Sequence, residues 1–185
     1  MENKRRNPYE VVRMFEETVA AYTGAPYAVS VDSCTNALFL CCKYYQSTQE
    51  HPKTITIPSK TYLSVPQSII HAGFEPIFDT SKNLWSGVYQ LEPLPIYDSA
   101  KRLTSDMYIS GTHMCLSFHI KKTLKMGKGG MVITDDPELV KWLKMARYEG
   151  RSEKLYHEDD ITTVSYTHLR AHETGRNLVC RLLLE

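Results

Sequence analysis

Residues 27–45 read YAVSVDSCTNALFLCCKYY. The apolar run Tyr27 to Val31 reads as a buried strand, Asp32 and Ser33 interrupt it, and the run that follows to Tyr45 reads as a helix whose first turn lies beside Ser33, Cys34 and Thr35. Hydroxyl side chains and free backbone N–H groups then meet at a helix start, where unsatisfied amides and the helix dipole favour an anion such as phosphate. The same residues also fit an ordinary Ser/Asp N-cap with no ligand, so this segment alone leaves both readings open.

Working outward, the strand-then-helix pattern repeats. On the N-terminal side, Asn7 and Pro8 give a helix-start signal, and Val12, Phe15, Val19 and Tyr22 follow at helical spacing until Gly24. On the C-terminal side TITIP is a second strand, and Tyr62 to Ala72 a second helix ending at Gly73. EPIFD, LPIYD, MCLSF and MVIT are short apolar runs closed by polar or turn residues, and Asp136 to Tyr148 is helical, opened by Asp135 or Asp136 with Pro137. Strands alternating with helices predict an α/β layer structure with a largely parallel sheet. Ligands in such sheets bind beyond the carboxyl ends of the strands, which is where Ser33 to Thr35, Asp98 and Ser117 to Lys122 fall. No internal repeat or linker divides the chain.

The 22 basic and 21 acidic residues leave a formal charge of +1, so nothing electrostatic calls for nucleic acid or an anionic membrane as partner. A small-molecule site is the better expectation. No run is long enough to span a bilayer and MENKRRNPYE lacks a signal-type apolar segment, which predicts a cytoplasmic protein. The cysteines (Cys34, Cys41, Cys42, Cys115, Cys180) are odd in number and lack metal-ligand spacing, which predicts reduced thiols and no metal site. The last stretch, VSYTHLRAHETGRNLVCRLLLE, resembles a translated sequencing adapter read in one frame. The natural sequence is therefore expected to end near Thr162 or Thr163, giving a domain over 1–163 and a non-native tail over 164–185.

Three further features bear on chemistry. Asp98 ends an apolar strand, either as a simple cap or as a carboxylate held at the sheet mouth for a cationic group. Tyr62 either lays its ring over a flat ligand or fills the core. Residues 117–130, SFHIKKTLKMGKGG, gather four lysines just past a strand, where desolvation of one would free its amine to attack a carbonyl. As an isolated cluster, solvated loop charges remain the commoner explanation. The glycines suggest a tight turn into MVIT, because the G-x-x-x-x-G-K-[ST] phosphate loop is absent.

Taken in order along the chain, these segments resemble the DegT/DnrJ/StrS family of pyridoxal-phosphate (PLP) sugar aminotransferases. FEETVAAYTGAPYAVSVDSCTNAL is similar to the family's opening and its S-G-T-x-A-L phosphate loop, IPSKTYLSVPQSIIHAGFEPIFDT to its T-[FYW] segment, IYDSA to its D-A-A motif, and SFHIKKTLKMGKGG to its S-F-H-x-x-K-x-L-x-x-G-x-G-G lysine motif. The similarity spans about Asn7 to Arg151. It implies the large domain of a type I aminotransferase, three-layer α/β with a mostly parallel sheet, here incomplete, in an enzyme that is normally a homodimer.

By the same resemblance Lys122 is the Schiff-base lysine and Asp98 faces the pyridine nitrogen. Tyr62 stacks on the ring, while the amides of Cys34 and Thr35 and the hydroxyls of Thr35 and Ser117 hold the phosphate. Lys121, Lys125 and Lys128 are surrounding charges. Lys101 stands where the family usually has histidine or glutamine near the ring oxygen, and Cys34 where it has glycine. The implied reaction moves an amino group from an amino acid, usually glutamate, to a keto sugar carried on a nucleotide. Family members run well past this length into a subunit-bridging segment and a small C-terminal domain, so the chain alone is not expected to turn over. A sugar dehydratase of the related branch, which carries histidine at the lysine position, is disfavoured by Lys122. A non-catalytic binding or regulatory protein of this fold is disfavoured by the joint presence of lysine, aspartate and phosphate loop.

Overall fold

A computed structural model describes residue 7 and residues 9–48, 50–82 and 87–153. Pro8, Cys180 and the expected tail 164–185 lie outside the described residues. The elements in chain order are α1 (Glu10–Thr23), β1 (Tyr27–Val31), α2 (Cys34–Thr48), β2 (Thr54–Pro58), α3 (Ser64–Ala72), β3 (Glu75–Asp79), β4 (Tyr89–Gln90), β5 (Ile96–Asp98), β6 (His113–Ser117), β7 (Gly130–Thr134) and α4 (Pro137–Ala146).

Local chemistry sets the helix ends. The Asn7 side chain accepts the Tyr9 N–H at 2.9 Å just before α1, which starts at Glu10. Gly24, at φ 76°, closes α1 in the left-handed conformation that glycine adopts without steric cost. Asp136 caps α4 by accepting from the amides of Glu138 and Leu139 at 2.8 and 3.1 Å, with Pro137 next to it.

The main sheet has the order β1-β7-β6-β5-β4, and β2 and β3 form a separate parallel ladder tied to it through a Thr56–Glu92 bridge. The expected α/β class is what folds, but the mostly parallel sheet is not. β7 runs antiparallel to both β1 and β6, β4 antiparallel to β5, and only β5 with β6 and β2 with β3 are parallel. The reason is the connections. A parallel neighbour needs a long crossover, usually a helix. Between β6 and β7 the chain instead turns back on itself, with Phe118 N–H donating to Gly129 O and Ile120 N–H to Gly127 O. β4 reaches β5 through a short hairpin closed by Leu91 N–H to Ile96 O.

Both faces of the sheet are covered, which gives three layers. Met114, Leu116, Met131 and Ile133 pack with Val19 and Ala20 of α1 on one side. Cys115 and Val132 pack with Leu38 and Cys41 of α2 and Leu139 of α4 on the other. Strands buried on both faces read as unbroken apolar runs, as MCLS and MVIT do. Cys34, Cys41, Cys42 and Cys115 are free and buried.

Two polar groups are built into this core. Glu16 of α1 accepts from the Ser30 amide and hydroxyl at 2.7 and 2.8 Å and pairs with Arg147 beyond α4, which also donates to Ser30 O at 3.0 Å and pairs with Glu153 at 3.1 Å. Removing one partner of a buried pair strands the other charge. Arg147→Ala is accordingly expected to cost about 3 kcal/mol, read as a lower midpoint in urea unfolding.

His113 is buried, with Nε2 2.8 Å from the Tyr45 hydroxyl and Nδ1 2.8 Å from Thr134 Oγ1. Burial pushes its pKa down, outweighing the opposing pull of Asp136 and Asp135. The folded form therefore resists protonation while the unfolded chain takes a proton near its ordinary value of about 6.5. This contribution is present above about pH 6.5 and is lost as pH falls from there through the depressed folded value. Melting temperatures measured between neutral and mildly acid pH should fall in the wild type, and less steeply in His113→Gln.

Candidate active site

A cavity of about 680 Å³ opens at the carboxyl ends of β1, β5 and β6. The turn from β1 into α2 supplies Ser33, Cys34 and Thr35, and the segment between β2 and α3 supplies Thr61, Tyr62 and Ser64. Asp98 and Lys101 come from the end of β5 and its following turn; Ser117, Lys121 and Lys122 come from the end of β6 and the turns after it. All seven residues singled out in the sequence (Cys34, Thr35, Tyr62, Asp98, Lys101, Ser117 and Lys122) thus border one hollow.

The first turn of α2 presents backbone rather than side chain. Ser33 Oγ takes the Asn36 N–H at 3.2 Å and Ser33 O takes the Ala37 N–H at 2.9 Å. The Cys34 and Thr35 amides are first-turn groups without a partner inside the helix. Cys34 turns its thiol into the core toward Cys115 O at 3.5 Å, and burial pushes that thiol's pKa well up. The Thr35 hydroxyl lies 2.9 Å from that of Ser64.

Asp98 is buried at 7% exposure. Its Oδ1 accepts the Ala100 N–H at 2.9 Å and its Oδ2 accepts the Tyr89 hydroxyl at 2.7 Å. Burial raises the carboxyl pKa above its ordinary value, against the pull of these two hydrogen bonds and of the Lys122 and Lys101 charges. The Lys122 charge also opposes the burial-driven rise of the Cys34 thiol pKa. Lys121 and Lys128 border the cavity as well, which makes its rim more basic than the resemblance implies. Tyr62 is 69% exposed at the mouth and does not fill the core.

Sequence reasoning missed Tyr89, Thr61, Ser64 and Gly130. Tyr89 sits in a two-residue strand, too short for periodicity to mark. Gly130 was legible only as part of a turn; in the structure an added Cβ there would lie 2.2 Å from Ser33 C and 2.5 Å from Cys34 N. β7 and the α2 start therefore touch backbone to backbone.

Comparison with known proteins matches residues 1–86 and 109–171 to the DegT/DnrJ/EryC1/StrS aminotransferase family. The chain belongs to that family. The interval 87–108 is unmatched and holds β4, β5, Tyr89, Asp98 and Lys101. The spore coat polysaccharide biosynthesis protein SpsC of Bacillus subtilis is 28% identical, over 78% of this chain and 47% of its own length. Sugar aminotransferase CalS13 from Micromonospora echinospora superposes with a TM-score of 0.72 at 18% identity, over 94% of this chain and 59% of that one. NtdA of Bacillus subtilis, solved with bound cofactor PMP, gives 0.62 at 17% identity, over 82% of this chain and 43% of that one. The chain spans about half the length of the curated relatives it matches. Among the described residues no helix is long and apolar enough to cross a membrane, and no group of three or more His, Cys, Asp or Glu side chains is placed to hold a metal ion.

Proposed function

We propose that this chain is part of a PLP-dependent aminotransferase that moves an amino group from an amino acid, glutamate by family resemblance, to a keto sugar carried on a nucleotide. The observation that carries the reading is the convergence of Lys122, buried Asp98 and the first turn of α2 on one cavity. The residues fit the cofactor in kind. A helix N-terminus suits its phosphate, a buried carboxylate its basic ring nitrogen, and a primary amine its aldehyde.

Bound there, the cofactor supplies an electrophilic carbonyl and a ring that accepts electrons when its nitrogen is protonated. Cys34 and Thr35 amides, with the Thr35 and Ser117 hydroxyls, hold the phosphate. Asp98 would keep a proton on the ring nitrogen, and Tyr62 and Lys101 would be the further residues to contact the ring. Lys122 would anchor the cofactor through Nζ, and the same amine, when free, would be the group to carry a proton between substrate and cofactor. The basic rim formed by Lys101, Lys121 and Lys128 suits an anionic, nucleotide-linked substrate. A homodimer acting in the cytoplasm, without nucleic acid or membrane as partner, completes the proposal.

Reduction with borohydride after addition of PLP, followed by peptide mapping, tests it. The pyridoxyl label is expected on Lys122, and glutamate added before reduction should lower that label. Labelling spread evenly over surface lysines would overturn the reading.

A further inference from the structure

Asp98 is held by a group that neither the sequence motifs nor the family match reaches. Tyr89 lies directly across the β4–β5 ladder from Asp98, and its phenol donates to Asp98 Oδ2 at 2.7 Å. A phenol has one proton to give. With that proton directed at Asp98, the contact between Tyr89 and Thr61 must run the other way, Thr61 Oγ1 donating to the phenol oxygen. The result is a one-directional chain from Thr61 through Tyr89 to the carboxylate. Ala100 N–H fixes the other carboxylate oxygen at 2.9 Å, so Asp98 is gripped at both ends.

We infer that Tyr89, oriented by Thr61, is a positioning residue that keeps Asp98 ionised and fixed in the cavity wall. Toward a bound cofactor, which rests on the function proposed above, the consequence concerns where one proton resides. Between a ring nitrogen and a carboxylate the proton goes to the more basic partner, and a hydrogen bond donated to the carboxylate favours its charged form. Tyr89 therefore shifts the shared proton from Asp98 to the ring. The direction of the Asp98 titration agrees: burial raises its pKa and the Tyr89 bond opposes the rise. Burial also raises the Tyr89 pKa, helped by the Asp98 charge, so the phenol stays a donor at working pH. Tyr89 and Asp98 both lie in the interval 87–108 that the family match leaves out.

The test uses Tyr89→Phe, which keeps the ring and removes the hydroxyl, and Thr61→Val, which removes the outer donor. In the ligand-free chain, carbon NMR of the Asp98 carboxyl should show the titration midpoint rising by about one pH unit in Tyr89→Phe and by less in Thr61→Val. Midpoints unchanged in both variants overturn the inference. A second arm adds PLP labelled with nitrogen-15 in its ring. The ring nitrogen should be less protonated in Tyr89→Phe than in wild type at the same pH, and equal protonation also overturns the inference. If wild type takes up no PLP, the cofactor reading falls while the ligand-free titration still decides the role of Tyr89. Thr61→Val keeps the first arm decisive if Tyr89→Phe fails to fold.

Discussion

Lys122→Ala is expected to abolish the visible absorption that appears when PLP joins a lysine, and with it the borohydride label. The choice of Lys122 over its neighbour follows from its place in the motif. Lys122 occupies the lysine position of the S-F-H-x-x-K motif that the sequence resembles, and its charge opposes the raised pKa of buried Asp98. The tight turn in which Lys122 N–H donates to His119 O at 2.8 Å holds the residue just beyond β6. Lys121 borders the same cavity, so Lys121→Ala is the informative control and should keep the label. Lys122→Arg keeps the positive charge near Asp98 and loses the nucleophilic amine, and should fail as completely as alanine. Positioned acid–base groups typically contribute 10²–10⁴-fold, so the same substitution in the full-length enzyme should lower amino-transfer rate by about 10³-fold or more. A label that persists in Lys122→Ala and disappears in Lys121→Ala would falsify the assignment.

How much of this was legible in the sequence depends on how local each signal is. The helices were, because their apolar spacing, Gly24 and Gly73 at the C-termini, and Asp136 with Pro137 at the start of α4 act within a turn or two. The strands were placed to within two residues for the same reason, except β4. Cys34, Thr35, Asp98, Ser117 and Lys122 were legible because each falls at the end of an apolar run, and the carboxyl ends of such runs collect at one edge, whereas Lys101 was reached only through the family resemblance. Strand direction was not legible. Alternating strands and helices argue for parallel pairing, whereas β6 and β7 are joined by turns whose hydrogen bonds reverse the chain. The Thr61–Tyr89–Asp98 chain was out of reach for a different reason: it joins three segments, and hydrogen bonds between distant hydroxyls leave no periodicity.

Gly130→Ala should damage fold and site together. Gly130 opens β7 and pairs with Val31 of β1 on one side and Ser117 of β6 on the other, so it stands between two of the segments that border the cavity. The methyl group would sit 2.2 Å from Ser33 C, 2.4 Å from Ser33 O and 2.5 Å from Cys34 N. These are backbone atoms, and no rotamer change can move them away. Relief requires the β1–α2 turn to shift away from β7, and that turn carries the Cys34 and Thr35 amides. Overpacking of this kind costs about 1–3 kcal/mol, and a clash with backbone belongs at about 3 kcal/mol. The displaced amides should in addition weaken PLP binding by at least about tenfold, the equivalent of one lost hydrogen bond to an anion. Urea unfolding and PLP titration measure the two effects separately. Gly127→Ala supplies the contrast: at φ 88° with nothing within 4 Å it pays only for a left-handed backbone, about 1 kcal/mol, and should leave PLP affinity unchanged. A Gly130→Ala protein with wild-type stability and wild-type PLP affinity would mean that the close approach of β7 to the α2 start does not hold the amide edge in place.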